Sequence, residues 1–192
     1  MKALKEAILR EGIGIDQDVV KVDSFLNHRI DVALSTEMGR ALYEAFKDDK
    51  VDCILTVEAS GIPVAITAAQ AFGNIPVVFA KKGDHLNVGQ DVYSAEVYSF
   101  TKQANTTINV SRKYLTEGMR VLLVDDFLAN GEAMRGLMSI LLQARCELVG
   151  VGVCVEKGFQ AGGSMLRESG VKVVSLAIVD AIQDGKIILR DD

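Results

Sequence analysis

Residues Arg120 to Met134 read RVLLVDDFLANGEAM, and the order of chemistries along this stretch decides the fold. Val121 to Val124 form an unbroken apolar run, the composition of a central strand buried on both faces. Asp125 and Asp126 follow at the strand's carboxyl end, where two adjacent carboxylates cost stability unless they meet donors or cations. A turn containing Asn130 and Gly131 comes next, and a helix starts after it. Glycine permits close backbone approach. A helix N-terminus aims N–H groups and a partial charge of about +0.5 at whatever sits in the loop. The loop therefore suits an anion, and the carboxylates a few residues upstream suit the hydroxyls of a sugar attached to it.

An acidic strand end also occurs in receiver-type pockets and in Walker B strands. No G-x-x-x-x-G-K-[ST] exists in the chain, which argues against a P-loop nucleotidase. Gly12-Ile13-Gly14 has no strand before it, and Gly150-Val151-Gly152 lies inside a strand, so neither reads as a dinucleotide fingerprint.

Working outward, strands and helices alternate. Lys2 to Glu11 reads as a short amphipathic helix stopped by Gly12. Lys21 to Asp31 is too short and too mixed for a core element. Asp31 is placed to cap a helix running to about Asp48, with Val32, Met38, Leu42 and Phe46 apolar. Val51 to Val57 is a buried-strand run. Glu58 to Gly61 is a turn, Ile62 to about Phe72 a helix, and Pro76 to Ala80 another strand: a parallel βαβ unit.

From Lys81 to Lys113 the rhythm breaks. Gly83, Asp84, Asn87, Gly89 and Asp91 make a polar loop, and Tyr93 to Phe100 and Thr106 to Ser111 read as a hairpin around TKQAN. Little in this insertion forces it into the core, and long insertions of this kind often serve as lids. After Arg120 to Val124, the helix Gly131 to Gln143, the strand Leu148 to Val155, a short helix near Gly163 to Glu168, and strands Val171 to Ile178 and Lys186 to Leu189 complete the pattern. The expectation is a single α/β domain over residues 1–192: a doubly wound, mostly parallel sheet flanked by helices, with ligands at the carboxyl ends of the strands.

The chain has 192 residues, a net charge of -5, 6% aromatics and no Trp, with no basic stripe longer than Lys81-Lys82. That balance argues against nucleic acid as a partner and requires local donors for any phosphate. The cysteines, Cys53, Cys146 and Cys154, lie in or beside apolar stretches without CxxC spacing and read as reduced core thiols. No run approaches membrane-spanning length, so a soluble, cytoplasmic protein is expected.

The segment VLLVDDFLANGEAM resembles the phosphoribosyl pyrophosphate (PRPP) motif of the type I phosphoribosyltransferases. Glu58-Ala59-Ser60-Gly61-Ile62-Pro63 and Lys81-Lys82 agree with that family's landmarks in order. KVDSFLNH (Lys21 to His28), VYSFTKQ (Val97 to Gln103), DDFLANGEA (Asp125 to Ala133) and VEKGFQ (Val155 to Gln160) are similar to the xanthine-using bacterial members. The turn departs from the usual Thr-Gly-Gly-Thr ending. Asn130 replaces a hydroxyl, Glu132 puts a negative charge near the phosphate, and Ala129 stands where some purine enzymes carry an aspartate.

The resemblance implies a type I phosphoribosyltransferase fold with a small hood (about residues 1–30 plus C-terminal segments) and a flexible β-hairpin loop over about residues 82–112. It implies Mg²⁺-dependent transfer of the phosphoribosyl group from PRPP to N9 of xanthine, and a homodimer. The same reaction on another 6-oxopurine or adenine, or a non-catalytic PRPP sensor, are the competing readings. By carry-over, Ala129, Asn130, Gly131, Glu132 and Ala133 hold the 5-phosphate, and Asp125 and Asp126 face ribose hydroxyls or metal-bound water. Ser60, Gly61 and Lys81 or Lys82 meet pyrophosphate, joined by Ser99 and Lys102 from a loop that closes against water. Val20, Asn27 and Lys157 contact the base, and Phe25 or Phe159 stacks on it. No protein metal ligand is assigned. Taken alone, Asn27 also reads as a turn residue, Lys157 as a surface lysine and Phe159 as a core lid.

Overall fold

The computed structural model describes residues 1–83, 91–99 and 104–191, with the side chain of residue 99 outside that set. Its centre is an eight-stranded sheet in the order β10-β9-β8-β7-β3-β4-β6-β5. In chain order these strands are β3 (Cys53–Val57), β4 (Val77–Lys82), β5 (Val92–Ser99), β6 (Ala104–Ser111), β7 (Arg120–Leu128), β8 (Glu147–Lys157), β9 (Val173–Gln183) and β10 (Lys186–Leu189). β4, β3, β7, β8 and β9 run parallel, and β10, β6 and β5 are joined antiparallel at the two edges.

The central parallel strands β3 and β7 are apolar without alternation because helices cover both their faces. Every residue of β3 is buried, as are Val121 to Asp126 of β7. On one face lie α1 (Lys2–Glu11), α2 (Val32–Phe46) and α3 (Gly61–Ala71), with Leu4, Ile8, Met38, Leu42 and Phe46 packed on Leu122 and Val124. On the other face, α4 (Glu132–Ala144) and α5 (Gly162–Glu168) set Met134, Leu137, Ile140 and Leu166 against Val121, Leu123 and Val151. Truncating one of these leucines to alanine costs about 2–5 kcal/mol. Asp31 caps α2 as expected, its Oδ1 accepting from Leu34 N at 3.0 Å. Val32 at the first turn is 71% exposed and belongs to no core.

Three expectations need correction. Residues Ile13–Ile15 (β1) and Val19–Lys21 (β2) form an antiparallel hairpin that the sequence reading passed over. The segment Lys21 to Asp31 does enter the core: Val22, Phe25 and Leu26 are buried with α2, because the wide helical turn Asp23–Asn27 presents Phe25 and Leu26 inward without any repeating period. The 92–111 hairpin likewise is no detached insertion. β6 pairs with β4, and Val97, Ile108 and Val110 pack into the second core. Cys53 and Cys154 are buried thiols, whereas Cys146 is half-buried. Residues Asp84, Asn87, Gly89 and Lys102, named in the polar loop and the lid, lie outside the described residues.

Candidate active site at the carboxyl ends of the central strands

The sheet order reverses between β3 and β7, with α3 leaving β3 toward one face and α4 leaving β7 toward the other. That is the switch point at which open α/β sheets leave a crevice. β7 is longer than expected. It pairs with β8 as far as Leu128 opposite Glu156, so Asp125 and Asp126 sit within the strand rather than beyond it. They are 5% and 6% exposed.

Each acid has its own surroundings. Burial pushes the Asp125 carboxyl well above the usual range, and the neighbouring Asp126 adds to the shift, while Lys82 pulls it back. Asp126 is held from two sides: the Ser60 hydroxyl donates to its Oδ1 at 2.9 Å and the Asn27 amide to its Oδ2 at 3.2 Å. The turn before α3, with a cis Glu58–Ala59 peptide, is thereby tied to β7. Gly61 has to be a glycine, because a Cβ there would lie 2.2 Å from Thr56 Oγ1 and 2.6 Å from Asp125 Oδ1.

The Ala129–Gly131 loop ends with Gly131 at φ +83°, the left-handed region that favours glycine, and α4 begins at Glu132. No side chain caps this N-terminus. Arg135 N is the first amide to close a helical bond, onto Gly131 O, which leaves the N–H groups of the preceding turn open to an anion. The Glu132 carboxylate pairs with Arg135 one turn along. Asn130 has no side-chain hydrogen bond among the described residues.

Lys81 and Lys82 diverge, as adjacent strand residues must. Lys82 acts on Asp125, and its N–H donates to Glu58 Oε1 at 2.7 Å. Lys81 instead lines a separate cavity of about 570 Å³ beside Phe79, Asn109 and Tyr114.

Among the base-side candidates, Lys157 ends β8 and donates to Asp18 O at 2.6 Å, reaching the turn of the β1–β2 hairpin. Burial pulls its ammonium pKa down, opposed by Asp18. Val20 and Phe25 are buried in the core. Phe159 is half-buried against the same core. The structure therefore gathers Asn27, Ser60, Asp125, Asp126, Lys82 and the Ala129–Gly131 loop. It sets Lys81 apart, and the Lys102 and Ser99 side chains lie outside the described residues. The contacts of the Glu58 carboxylate, of Asp18 and of the pair Glu156–Arg167 had no assignment from sequence. Glu156 alone had a signal: a charge inside the buried run VCVEK needs a partner.

A phosphoribosyl transferase domain model matches residues 22–183. The chain belongs to the phosphoribosyltransferase family. A xanthine phosphoribosyltransferase of Clostridioides difficile is 53% identical over 190 residues, covering 99% of this phosphoribosyltransferase and 100% of that protein. One from Bifidobacterium adolescentis is 50% identical over 192 residues, with 99% and 100% coverage. Among solved structures, adenine phosphoribosyltransferase from Rhodothermus marinus superposes with a TM-score of 0.72 at 20% identity, covering 93% of this chain and 99% of that one. The Trypanosoma brucei adenine enzyme gives 0.75 at 18% identity, covering 91% and 78%. At those identities the structural likeness speaks for the fold alone, a type I phosphoribosyltransferase fold with a mostly parallel sheet between helices.

Proposed function

We propose that this phosphoribosyltransferase transfers the 5-phosphoribosyl group of PRPP to N9 of xanthine, giving xanthosine monophosphate and pyrophosphate, a purine-salvage reaction. One observation carries the reading. The uncapped N-terminus of α4 opens beside two buried acids, one of them fixed by two donors, in a chain about half identical to named xanthine phosphoribosyltransferases.

In this reading the Ala129–Ala133 segment binds the 5-phosphate through backbone N–H groups, helped by Asn130. Asp126, held in one orientation by Ser60 and Asn27, accepts from the ribose hydroxyls, and Asp125 sits beside it. As the bond from C1 to pyrophosphate breaks with oxocarbenium character, the start of α3 at Ser60 and Gly61 and the Lys82 ammonium meet the departing charge. Lys81 faces elsewhere and takes no part. Xanthine carries carbonyls at C2 and C6, and Lys157 donates to one end once it releases the Asp18 carbonyl. A fixed ammonium there disfavours the amino group of adenine. Asn27 serves the base through the remainder of its amide, and Val20 and Phe159 line the ring. Ala129 offers no base, and xanthine, more readily ionised than other purines, attacks as its anion.

Magnesium fits as a substrate-borne ion. Asp126, whose carboxylate Ser60 and Asn27 orient, would meet water of the ion's shell, and the rest of the coordination would come from substrate oxygens. When bound, Mg²⁺ would neutralise charge on the pyrophosphate. The β1–β2 hairpin and the 23–27 turn make the hood of one domain, and the family resemblance supports a homodimer. No described helix is long and apolar enough to cross a membrane, and a salvage role accords with the cytoplasm. The test is pyrophosphate release from PRPP with and without xanthine. Release that requires xanthine is expected; PRPP binding without turnover would point to a sensor instead.

A further inference from the structure

Helix α5 has seven residues and a single large apolar side chain in the core, Leu166. That is too little to place a helix, since short helices take their stability from packing. Polar contacts hold it at both ends. At its start Gly162 N donates to Ala129 O at 3.1 Å, on the Ala129–Gly131 loop. At its end Arg167 grips Glu156 with two bonds, of 2.8 and 2.6 Å, and the Ser175 hydroxyl adds a third. Glu156 is 3% exposed and lies opposite Leu128, the last residue of β7 before the loop.

Two glycines make the approach possible. A Cβ on Gly162 would lie 2.3 Å from Ala129 O and 2.6 Å from Gly131 N, and one on Gly163 would lie 2.0 Å from Glu156 Oε1. The contact is thus backbone on backbone, with the loop between the end of β7 and the start of α5. Burial pushes the Glu156 carboxyl up, and the bonds from Arg167 and Ser175 more than reverse it, so it stays below the ordinary range and charged. A buried ion pair is a poor source of stability compared with an apolar pair of the same size. Its location, one strand pairing away from the loop, supplies another use.

We propose that Glu156 and Arg167, acting through Gly162, form a brace that fixes the Ala129–Gly131 loop in the shape that binds the PRPP phosphate. Arg167 and Gly162 are then positioning residues for the donor substrate, with no contact to the base. The proposal rests on the loop being the 5-phosphate site.

The test is steady-state kinetics of the full chain with PRPP and xanthine varied in turn, together with a melting curve. Gly162→Ala and Arg167→Ala are expected to raise KM for PRPP by roughly 10-fold or more, since displacing a binding group by about 1 Å can cost ~100-fold. KM for xanthine is expected to stay within about twofold. Arg167→Lys keeps a cation against Glu156 without the two-pronged grip, so it folds and is expected to show a smaller rise in the same constant. An unchanged KM for PRPP in the folded Arg167 variants, whatever the melting temperature does, overturns the brace. Gly131→Ala separates the two ideas. If it raises KM for PRPP while the Arg167 variants do not, the loop binds phosphate and the brace is wrong. If it too leaves KM unchanged, the loop assignment itself fails, and the brace with it.

Discussion

The Asn27 amide donates to Asp126 Oδ2 across 3.2 Å, joining residues 99 positions apart in the chain. Through that bond the last residue of the 23–27 helical turn holds the acid at the centre of the sheet. Asn27→Ala removes one of two side-chain donors to Asp126, a loss of about 1 kcal/mol and so roughly fivefold in binding. With Asp126 on the ribose, as proposed, KM is expected to rise for PRPP as well as for xanthine. A residue that touched only the base would move the xanthine constant alone, and initial-rate measurements with each substrate varied distinguish the two.

In the proposed reading Lys157 discriminates between bases. Losing a hydrogen bond from a charged group costs about 1.5–3 kcal/mol, so Lys157→Ala is expected to lower kcat/KM for xanthine by roughly 10- to 100-fold. Activity with adenine, which the ammonium disfavours, should rise in the same variant. A variant that kept its preference for xanthine would remove Lys157 from the base site.

Asp125 gives a pH signature. Its pKa in the folded chain is raised above the unfolded value of about 4, so the stability tied to its proton is complete below that pH and is lost as pH rises through the folded pKa. Asn at this position has no proton to lose. The melting temperature of Asp125→Asn relative to the native chain should therefore climb as pH rises above about 4. A relative melting temperature that falls over that range would show Asp125 ionised in the free protein.

Asp52 runs the other way. The Arg120 side chain and backbone donate to it and hold its carboxyl at about 2. Its contribution is complete above the unfolded value of about 4 and disappears as pH falls through 2. Asp52→Asn should melt below the native chain at neutral pH, and the two curves should merge in acid. A gap that stayed constant down to pH 2 would mean that charge on Asp52 does not anchor the start of β7.

The segment Arg120 to Met134 was legible because its chemistry is local. An unbroken apolar run, two acids, a glycine turn and a helix start each impose their own geometry, and Asp31 announced its cap in the same way. Phe25 and Leu26 were hidden because a single wide helical turn buries residues without a period to detect. Pairings between distant residues were hidden too: Ser60 and Asn27 converge on Asp126, and Lys157 finds the Asp18 carbonyl, only after the sheet has formed. Lys81 and Lys82 were interchangeable in sequence, and only the pleat of β4 separates them, Lys81 lining the cavity beside Phe79 while the Lys82 amide meets Glu58.

The most direct test is a competition. The purified chain is given limiting PRPP with Mg²⁺ and equal concentrations of xanthine, hypoxanthine, guanine and adenine, and the nucleotide products are separated and quantified. Xanthosine monophosphate should dominate, with adenosine monophosphate near the detection limit. A product mixture led by any other nucleotide, or no nucleotide at all while PRPP still binds, would contradict the account.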